Sequence, residues 1–452
     1  MDQWILRWLD DTAELLVGQA PQVAAELLRQ AVDSSPPDPA QRDRLMSRLA
    51  DTLYRVGDAA EAEQVANRAL VHAVAPDLLV DLHWTLAQCR MQLGQSVESL
   101  AALDQALASP GISARHRARL PVLAARTHSN LGQVEKAGQV TMTALAEASQ
   151  AGDNWAMGWA LHVLITVTTM QGQMTDVLPL FYQALTVTQA DPALTDLRLL
   201  LQINKAITLG DLDRHGEAFA AARQALDLAG RVGTVVRLTQ AHSALGQLLF
   251  DTGQWADALA EVEILDEGLK EPGAACMDRG IAAAICFHRG DVTTARRHLA
   301  AAMPYAERIG NRVVGPLALA RSLDREHDGA LADALAALTA GFAGDVEELD
   351  EIEDLVADAA RLAAEIGDLG AAKTLADHAE ALAAGSEIPH RQANTLYCRG
   401  LLDHDATRLL TAAERYADAS RPLLSARALE AAAGEFVRAG DRGQAGPRSP
   451  GP

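Results

Sequence analysis

The chain is short of the residues that carry most recognisable chemistry. Its four cysteines, Cys89, Cys276, Cys286 and Cys398, form no C-x-x-C pair. Neither a zinc site nor a disulfide framework is indicated, and each falls in an apolar helical pattern as a small core residue. Aromatics make up only 4% of the chain and clusters of β-branched residues are few, which disfavours sheet and points to an all-α class. Positive charge is scarce as well, with 39 Lys and Arg against 60 Asp and Glu and a net charge of −21. A surface of that sign opposes direct nucleic-acid binding, which depends on neutralising phosphates. No apolar run reaches membrane-spanning length, and Met1-Asp-Gln-Trp-Ile-Leu-Arg lacks the basic start and cleavage site of a secretory signal. A cytoplasmic location with no membrane partner is expected.

Also missing are H-E-x-x-H, G-x-S-x-G, G-x-G-x-x-G and G-x-x-x-x-G-K-[ST], so no zinc hydrolase, nucleophile elbow, dinucleotide loop or phosphate loop is indicated. No metal and no cofactor are expected. The acidic run Asp345 to Asp354 lacks the mid-loop Gly and alternating ligands of a calcium loop; with Leu349, Ile352 and Leu355 at helical spacing, it reads as a solvated helix face. The basic spots Arg115-His-Arg-Ala-Arg119 and Arg296-Arg-His298 read the same way.

Helical punctuation is what the chain has in quantity. Gly253-Gln-Trp-Ala-Asp-Ala258 and Gly290-Asp-Val-Thr-Thr-Ala295 open two consecutive copies of one unit. In each, a Gly suits the left-handed residue just past a helix, and the Ala five residues on begins an apolar stripe. Similar turns fall at Gly57, Gly94, Gly132, Gly172, Gly329 and Gly367, with Asp213 taking the place once. From Gly57 to Gly94 is 37 residues, from Gly94 to Gly132 is 38, and from Gly253 to Gly290 is 37. Two helices at that period are the mark of a solenoid. A chain of 452 residues with uniform composition and no long linker fits a core that lengthens without thickening. One array over 1–446 is expected, followed by a disordered tail at 447–452.

The unit resembles a tetratricopeptide repeat. Gly94, Ser99 and Ala106, then Gly132, Ala137 and Ala144, then Gly172, Val177 and Ala184 occupy that family's turn glycine and its two small second-helix positions, while its aromatics are mostly replaced by Leu and Ala. The expected fold is a right-handed α-solenoid of roughly ten to eleven such hairpins. The ends resemble something narrower. Residues 14–32 with Pro36-Pro-Asp-Pro39, and Arg399-Gly-Leu-Leu402, Ala413-Glu-Arg-Tyr416, Ser420-Arg-Pro422, Ala426-Arg-Ala-Leu-Glu-Ala431 and Ala439-Gly-Asp441, are similar to the limits of the helical-repeat region in large ATP-dependent LuxR-type regulators of actinobacteria, relatives of MalT. Those regulators place an NTPase module before the repeats and a helix-turn-helix after them. Here the phosphate loop is absent and Gly446-Pro-Arg-Ser-Pro-Gly-Pro452 follows the repeats, so ATP hydrolysis and DNA reading are not carried over. What the resemblance implies is a sensor or scaffold, as part of such a regulator or as a stand-alone relative, with homo-oligomerisation among its properties.

One window is unusually rich in large side chains: Trp155, Met157, Trp159, His162, Met170, Met174, Phe181 and Tyr182, with Thr166, Thr168 and Thr169 beside them. Such a mixture suits either a concave ligand site or a wide core between repeats. In tetratricopeptide-like repeats the first helix lines the concave side. Counting back from the turns gives Trp84, Gln88 and Met91; Arg126, Ser129 and Asn130; Trp159, His162, Thr166 and Thr169; Gln247 and Phe250; and Met277 and Phe287. Arg126 and His162 would face an anionic or carbonyl group, while Trp84, Trp159 and Phe250 would supply contact area. The first reading is therefore a groove for a protein, peptide or small-molecule ligand. The other is an enzyme that works without metal or nucleotide on an apolar metabolite, with His162 and Arg126 as its actors.

Overall fold

The structure, a computed structural model, describes residues 2–34, 36, 38–93, 95, 97–108, 112–189, 191, 194–232, 235–264, 269–309, 314–340 and 353–440. Among them are 23 α-helices and no strand. The first helices of successive hairpins are α1 (Gln3–Gln19), α3 (Pro39–Arg55), α5 (Pro76–Gln92), α7 (Ala114–Asn130), α9 (Asn154–Met170) and α11 (Thr195–Asp211). They continue as α13 (Val235–Asp251), α15 (Pro272–His288), α17 (Gly315–His327), α19 (Val356–Ile366) and α21 (Pro389–Leu402). The second helices are α2 (Pro21–Asp33), α4 (Ala59–Leu70), α6 (Val97–Ala108), α8 (Val134–Ala151), α10 (Met174–Gln189) and α12 (His215–Val232). After these come α14 (Trp255–Glu263), α16 (Val292–Arg308), α18 (Leu331–Thr339), α20 (Leu369–Ala383) and α22 (Ala406–Asp418), and α23 (Pro422–Arg438) stands alone. Eleven hairpins and one single helix thus make the expected α-solenoid.

Turn chemistry explains the regularity. Asp213 holds φ at 56°, as the turn glycines on either side of it do near 75°. An Asp tolerates that left-handed state better than most residues with a Cβ. His404 and Ser420 do the same at 54° and 55°, two turns that a count of glycines passes over. A second device follows the turn: Asp58, Asp291, Asp368 and Asp405 each cap the next helix by accepting from a backbone N–H three residues on. Ala137, Ala144, Val177, Ala184, Ala258, Ala295 and Ala302 are all fully buried, so small side chains do let the paired helices close up. The turn at Gly94 and the tail at 447–452 lie outside the described residues.

The solenoid winds tightly enough to touch itself. Helix α3 packs on α13 and α1 on α12, and the Leu269 side chain lies 3.2 Å from where a Cβ on Gly57 would be. About five hairpins later the contact recurs as a seam between the first turn and the second. The His390 backbone N–H donates to Asp213 at 2.8 Å, and its ring reaches Asp213 at 3.0 Å and Glu353 at 3.2 Å. Arg421, 5% exposed, donates to Asp213 at 3.2 Å and to Asp354 at 3.1 Å. Arg391 pairs with Glu353, and His215 donates to the Ala419 carbonyl at 3.0 Å. A cavity of about 30 Å³, the share of a single water, sits among Thr169, Met174, Asp211, Glu353, His390 and Arg421. Glu353, at the end of the acidic run, is therefore a buried clamp rather than part of a solvated face; residues 345–352 lie outside the described residues.

The seam predicts a pH dependence. Burial and the nearby Arg421 push the His390 pKa down, but hydrogen bonds to Asp213 and Glu353 outweigh them and raise it to about 9. The resulting stabilisation is complete below the unfolded value near 6.5 and is lost as pH climbs through about 9. Burial also raises Asp251 to about 7 and Asp211 well above its ordinary range, Asp354 adding to both while Arg421 opposes. Ionising Asp251 costs stability as pH rises from about 3.8 to about 7, so most of its cost falls below the His390 window. Glu353 runs the other way: burial would raise it, but His390 and Arg391 hold it at about 2, so its contribution is lost only as pH falls through that value. Thermal stability should accordingly decline between about pH 6.5 and 9. In His390→Gln the decline should be shallower; an unchanged slope in that variant would contradict the charged imidazolium.

Candidate functional site on the inner face

Three tryptophans converge where α5, α7 and α9 meet. Trp84 stands edge-on to Trp155 and Trp159, with ring centroids 4.5 and 4.3 Å apart. Trp155 and Trp159 are one helical turn apart, which puts both on one face of α9. Arginines seven residues apart on α7 enclose them. Arg119 lies 4.5 Å over Trp155, and Arg126 lies 4.9 Å over Trp159 and 5.6 Å from Trp84, geometry at which a guanidinium is attracted to the ring face. Arg119 also pairs with Asp153 at 3.0 Å, and Asp153 caps α9. So Arg119 is a buried anchor, where the sequence suggested a solvated basic face. Trp84 and Trp159 are 8% and 3% exposed and belong to the main core.

Beside this wall, the first helices of neighbouring hairpins bring buried polar groups within reach of one another. Arg237 on α13 clasps Asp196 at the start of α11 at 2.9 and 3.1 Å, and donates to Gln240 at 2.8 Å. Tyr54 on α3 is pushed up by burial, while Arg237 and Arg126 pull it down and Glu271 and Asp196 add to the rise. Arg126 in turn is lowered by burial and influenced by Tyr54, Arg237, Glu271 and Asp196. These groups come from α3, α7, α11, α13 and the residue before α15, close enough for each to act on the others' charge. His162 on α9 belongs there too. Its Nε2 lies 3.2 Å from the Asn204 amide on α11, which donates to it. Burial, with Arg126 and Arg237 adding, lowers its pKa to about 3, so near neutrality it is an uncharged hydrogen-bonding group and poorly matched to proton transfer.

Five buried polar atoms on the first helices or just before them have no hydrogen-bond partner within the protein: Tyr54 Oη, Gln88 Oε1, His162 Nδ1, Gln247 Oε1 and Glu271 Oε1. Each such atom costs about 1–3 kcal/mol while unmet, and a set of them is expected where something else supplies partners.

The remaining expected residues are dispersed. Thr166 bonds back to the His162 carbonyl at 3.2 Å, and Thr169 lies at the seam cavity rather than beside the tryptophans. Phe250 is half-buried, and its carbonyl accepts from Trp255 Nε1 at 3.2 Å. Met277 packs where α15 meets α16, and Phe287 joins the core of the second turn. The side chains of Met91 and Asn130 lie outside the described residues. Tyr54, Asp196, Asn204, Arg237 and Glu271 were missed. For Arg237 a signal existed, since one charge within Val235-Val-Arg-Leu238 must find a partner if the helix is buried.

No family model matches the sequence, and no curated protein matches it. Solved structures do. A Rap protein complexed with Competence and Sporulation Factor superposes with a TM-score of 0.54 at 14% identity, covering 77% of this chain and 99% of that one. The fold is a tetratricopeptide-like α-solenoid. Aspartyl phosphate phosphatase F from Bacillus subtilis gives 0.42 at 13% identity, over 64% of this solenoid and 77% of that chain. A signal-transduction ATPase with a tetratricopeptide-repeat sensor from Pyrococcus horikoshii gives 0.37 at 12%, over 75% and 54%. Among the described residues of the solenoid, no group of three His, Cys, Asp or Glu could hold a metal, and no helix is long and apolar enough to cross a membrane.

Proposed function

We propose that this solenoid is a partner-binding protein that takes a short extended peptide along the inner face of its first superhelical turn. The observation that carries the reading is the set of five unmet polar atoms spread over α3, α5, α9, α13 and the start of α15. Groups spaced across successive repeats match a ligand that offers donors and acceptors along its length, as a peptide backbone does. The half-buried Trp155 and Arg126 would supply contact area and charge. The Rap protein of the same fold was solved with Competence and Sporulation Factor bound, which supports an occupant of this kind. A heptapeptide phage library panned on the protein tests it. Enriched peptides should bind the wild type and lose about tenfold or more in Tyr54→Phe and Arg126→Met, the cost of one or two hydrogen bonds to buried groups. Peptides that bind both variants as well as the wild type would refute the site.

The finer reading is that the peptide is an inducer and the solenoid the sensor of a LuxR-type transcriptional regulator, or a stand-alone relative. Its support is the resemblance at residues 14–32 and 399–441. Deleting the chain should then change transcription of a defined gene set; unaltered transcripts would count against it.

A further inference from the structure

The seam between the two superhelical turns gathers ionisable groups around a cavity, and their formal charges do not balance. Asp211 ends α11, Asp251 ends α13, Asp213 lies in the turn after α11, and Glu353 and Asp354 precede α19. These carboxylates face His390 and Arg391 at the start of α21 and Arg421 just before α23. Asp211, Glu353, Asp354, His390, Arg391 and Arg421 all line the cavity of about 30 Å³. Asp213 accepts from His390 and Arg421, and Asp251 lies 4.0 Å from Arg421. Two more imidazoles stand close by: His215 on α12, 3.7 Å from Asp213, and His378 on α20. Burial lowers both. At His215 Arg421 adds to the effect and Asp213 opposes it, and at His378 Glu353 opposes it. Near neutrality neither supplies a charge.

The three cations match three of the five carboxylates, so a neutral seam needs protons on the other two. Geometry says which two. Asp213 accepts from His390 and Arg421, Glu353 from His390 and Arg391, and Asp354 from Arg421. Asp211 and Asp251 are each the last residue of a helix, where free carbonyls already leave partial negative charge. Burial raises both, with Asp354 adding and Arg421 opposing, and Asp251 reaches about 7. Despite burial and the Arg421 charge, bonds to Asp213 and Glu353 keep His390 protonated up to about pH 9. When the turns part, these groups return to ordinary values near 3.8 and 6.5. Asp251 then gives up its proton below about pH 7 and His390 between about 6.5 and 9, so each parting releases about one proton or more across that range.

We propose that the seam is a proton-operated clasp: α21, α22 and α23 close on the turn at Asp213 as the seam takes up protons, and come off it still folded as the protons leave. The bonds that cross to that turn, from His390 and Arg421 to Asp213 and from His215 to the Ala419 carbonyl, all engage this one end of the second turn. The bonds that hold the last hairpin together are its own. Tyr416 Oη on α22 donates to Asn394 on α21 at 2.6 Å, and Tyr397 stands edge-on to Tyr416 with centroids 6.2 Å apart. Opening is thus a local event below the global transition, distinct from the pH dependence of overall stability. It does not rest on the first-turn site or on any ligand.

One backbone amide reports the clasp directly. His390 lies in the first turn of α21, where N–H groups have no partner within the helix, and its N–H donates across the seam to Asp213 at 2.8 Å. The Tyr397 amide, inside the same helix, reports whether α21 stays folded. The test is hydrogen exchange of these two amides in the whole protein, labelled with ¹⁵N-histidine and ¹⁵N-tyrosine, between pH 6.5 and 8.5. The signals are identified by their loss in His390→Gln and Tyr397→Phe, and each rate is divided by the intrinsic rate at that pH. Protection of the His390 amide should fall about tenfold or more per pH unit, the slope of at least one proton released on opening, while the Tyr397 amide stays protected. Asp251→Asn, whose side chain is neutral at every pH, should raise His390 protection at pH 8 about tenfold or more. Protection at His390 that does not change with pH, a parallel loss at His390 and Tyr397, or an Asp251→Asn protein in which His390 is less protected would each overturn the clasp.

Discussion

Gly280→Ala should cost at least about 3 kcal/mol, the upper range for forcing one methyl into a packed interior. A Cβ at this position on α15 would lie 2.4 Å from the Leu317 nitrogen, 2.5 Å from the Pro316 carbonyl carbon and 2.8 Å from the Leu317 Cα. All three are backbone atoms at the start of α17, so no side chain can swing aside to make room. The clash must be relieved by separating two first helices that pack closely, and that would loosen the boundary between the two superhelical turns. Gly434→Ala is the matched control. Gly434 is also helical, on α23, with nothing within 4 Å of a new Cβ, and the same exchange there should stabilise by about 0.5–1 kcal/mol. Urea denaturation followed by circular dichroism separates the two signs. If Gly280→Ala were neutral, α15 and α17 could not cross as closely as described.

Arg421→Ala should be of similar size, about 3–5 kcal/mol, the usual result of removing one partner from a buried ionic network. The arginine is 5% exposed and serves Asp213 and Asp354 directly, with Asp251 at 4.0 Å. Removing it leaves buried carboxylates of one sign facing each other across the seam. Asp251, already raised to about 7 with Arg421 opposing the rise, would then take up a proton more readily still. Adding Asp213→Asn to Arg421→Ala should recover part of the loss, since it deletes one uncompensated charge. A loss below about 1 kcal/mol for Arg421→Ala, typical of an exposed pair, would mean that the seam does not hold the turns together.

These two sites also show what can be read from sequence here and what cannot. The hairpins were legible because their signals are local. A left-handed turn residue, an Asp cap and a small residue at fixed offsets act within a dozen positions, and Asp213 could be picked out as a turn residue without any glycine. The seam was not legible, because His390 and Asp213 are 177 residues apart and Arg421 and Asp213 are 208 apart. Nothing in the repeat period says how many hairpins complete a superhelical turn. Arg421 sits in Ser420-Arg-Pro422, which on sequence served only as a family-like end mark. Its clamp role appears once α23 meets the turn at Asp213. The site was legible in part. Register placed Trp84, Arg126, Trp159 and His162 on first helices, and the structure gathers these four around one wall. Thr169, Phe250, Met277 and Phe287 share that register but are carried elsewhere by the winding. Tyr54 and Glu271 enter because the winding brings distant repeats within electrostatic reach of Arg126.

The most direct measurement of the central claim is a native mass spectrum of the protein recovered from its own source cells, taken beside Arg126→Met prepared the same way. A stoichiometric added mass on the wild type, absent from Arg126→Met, is the predicted result, and fragmentation of that mass should give a peptide sequence. Wild-type protein that flies bare, or an added mass that persists unchanged in Arg126→Met, would contradict binding at the inner face of the first turn.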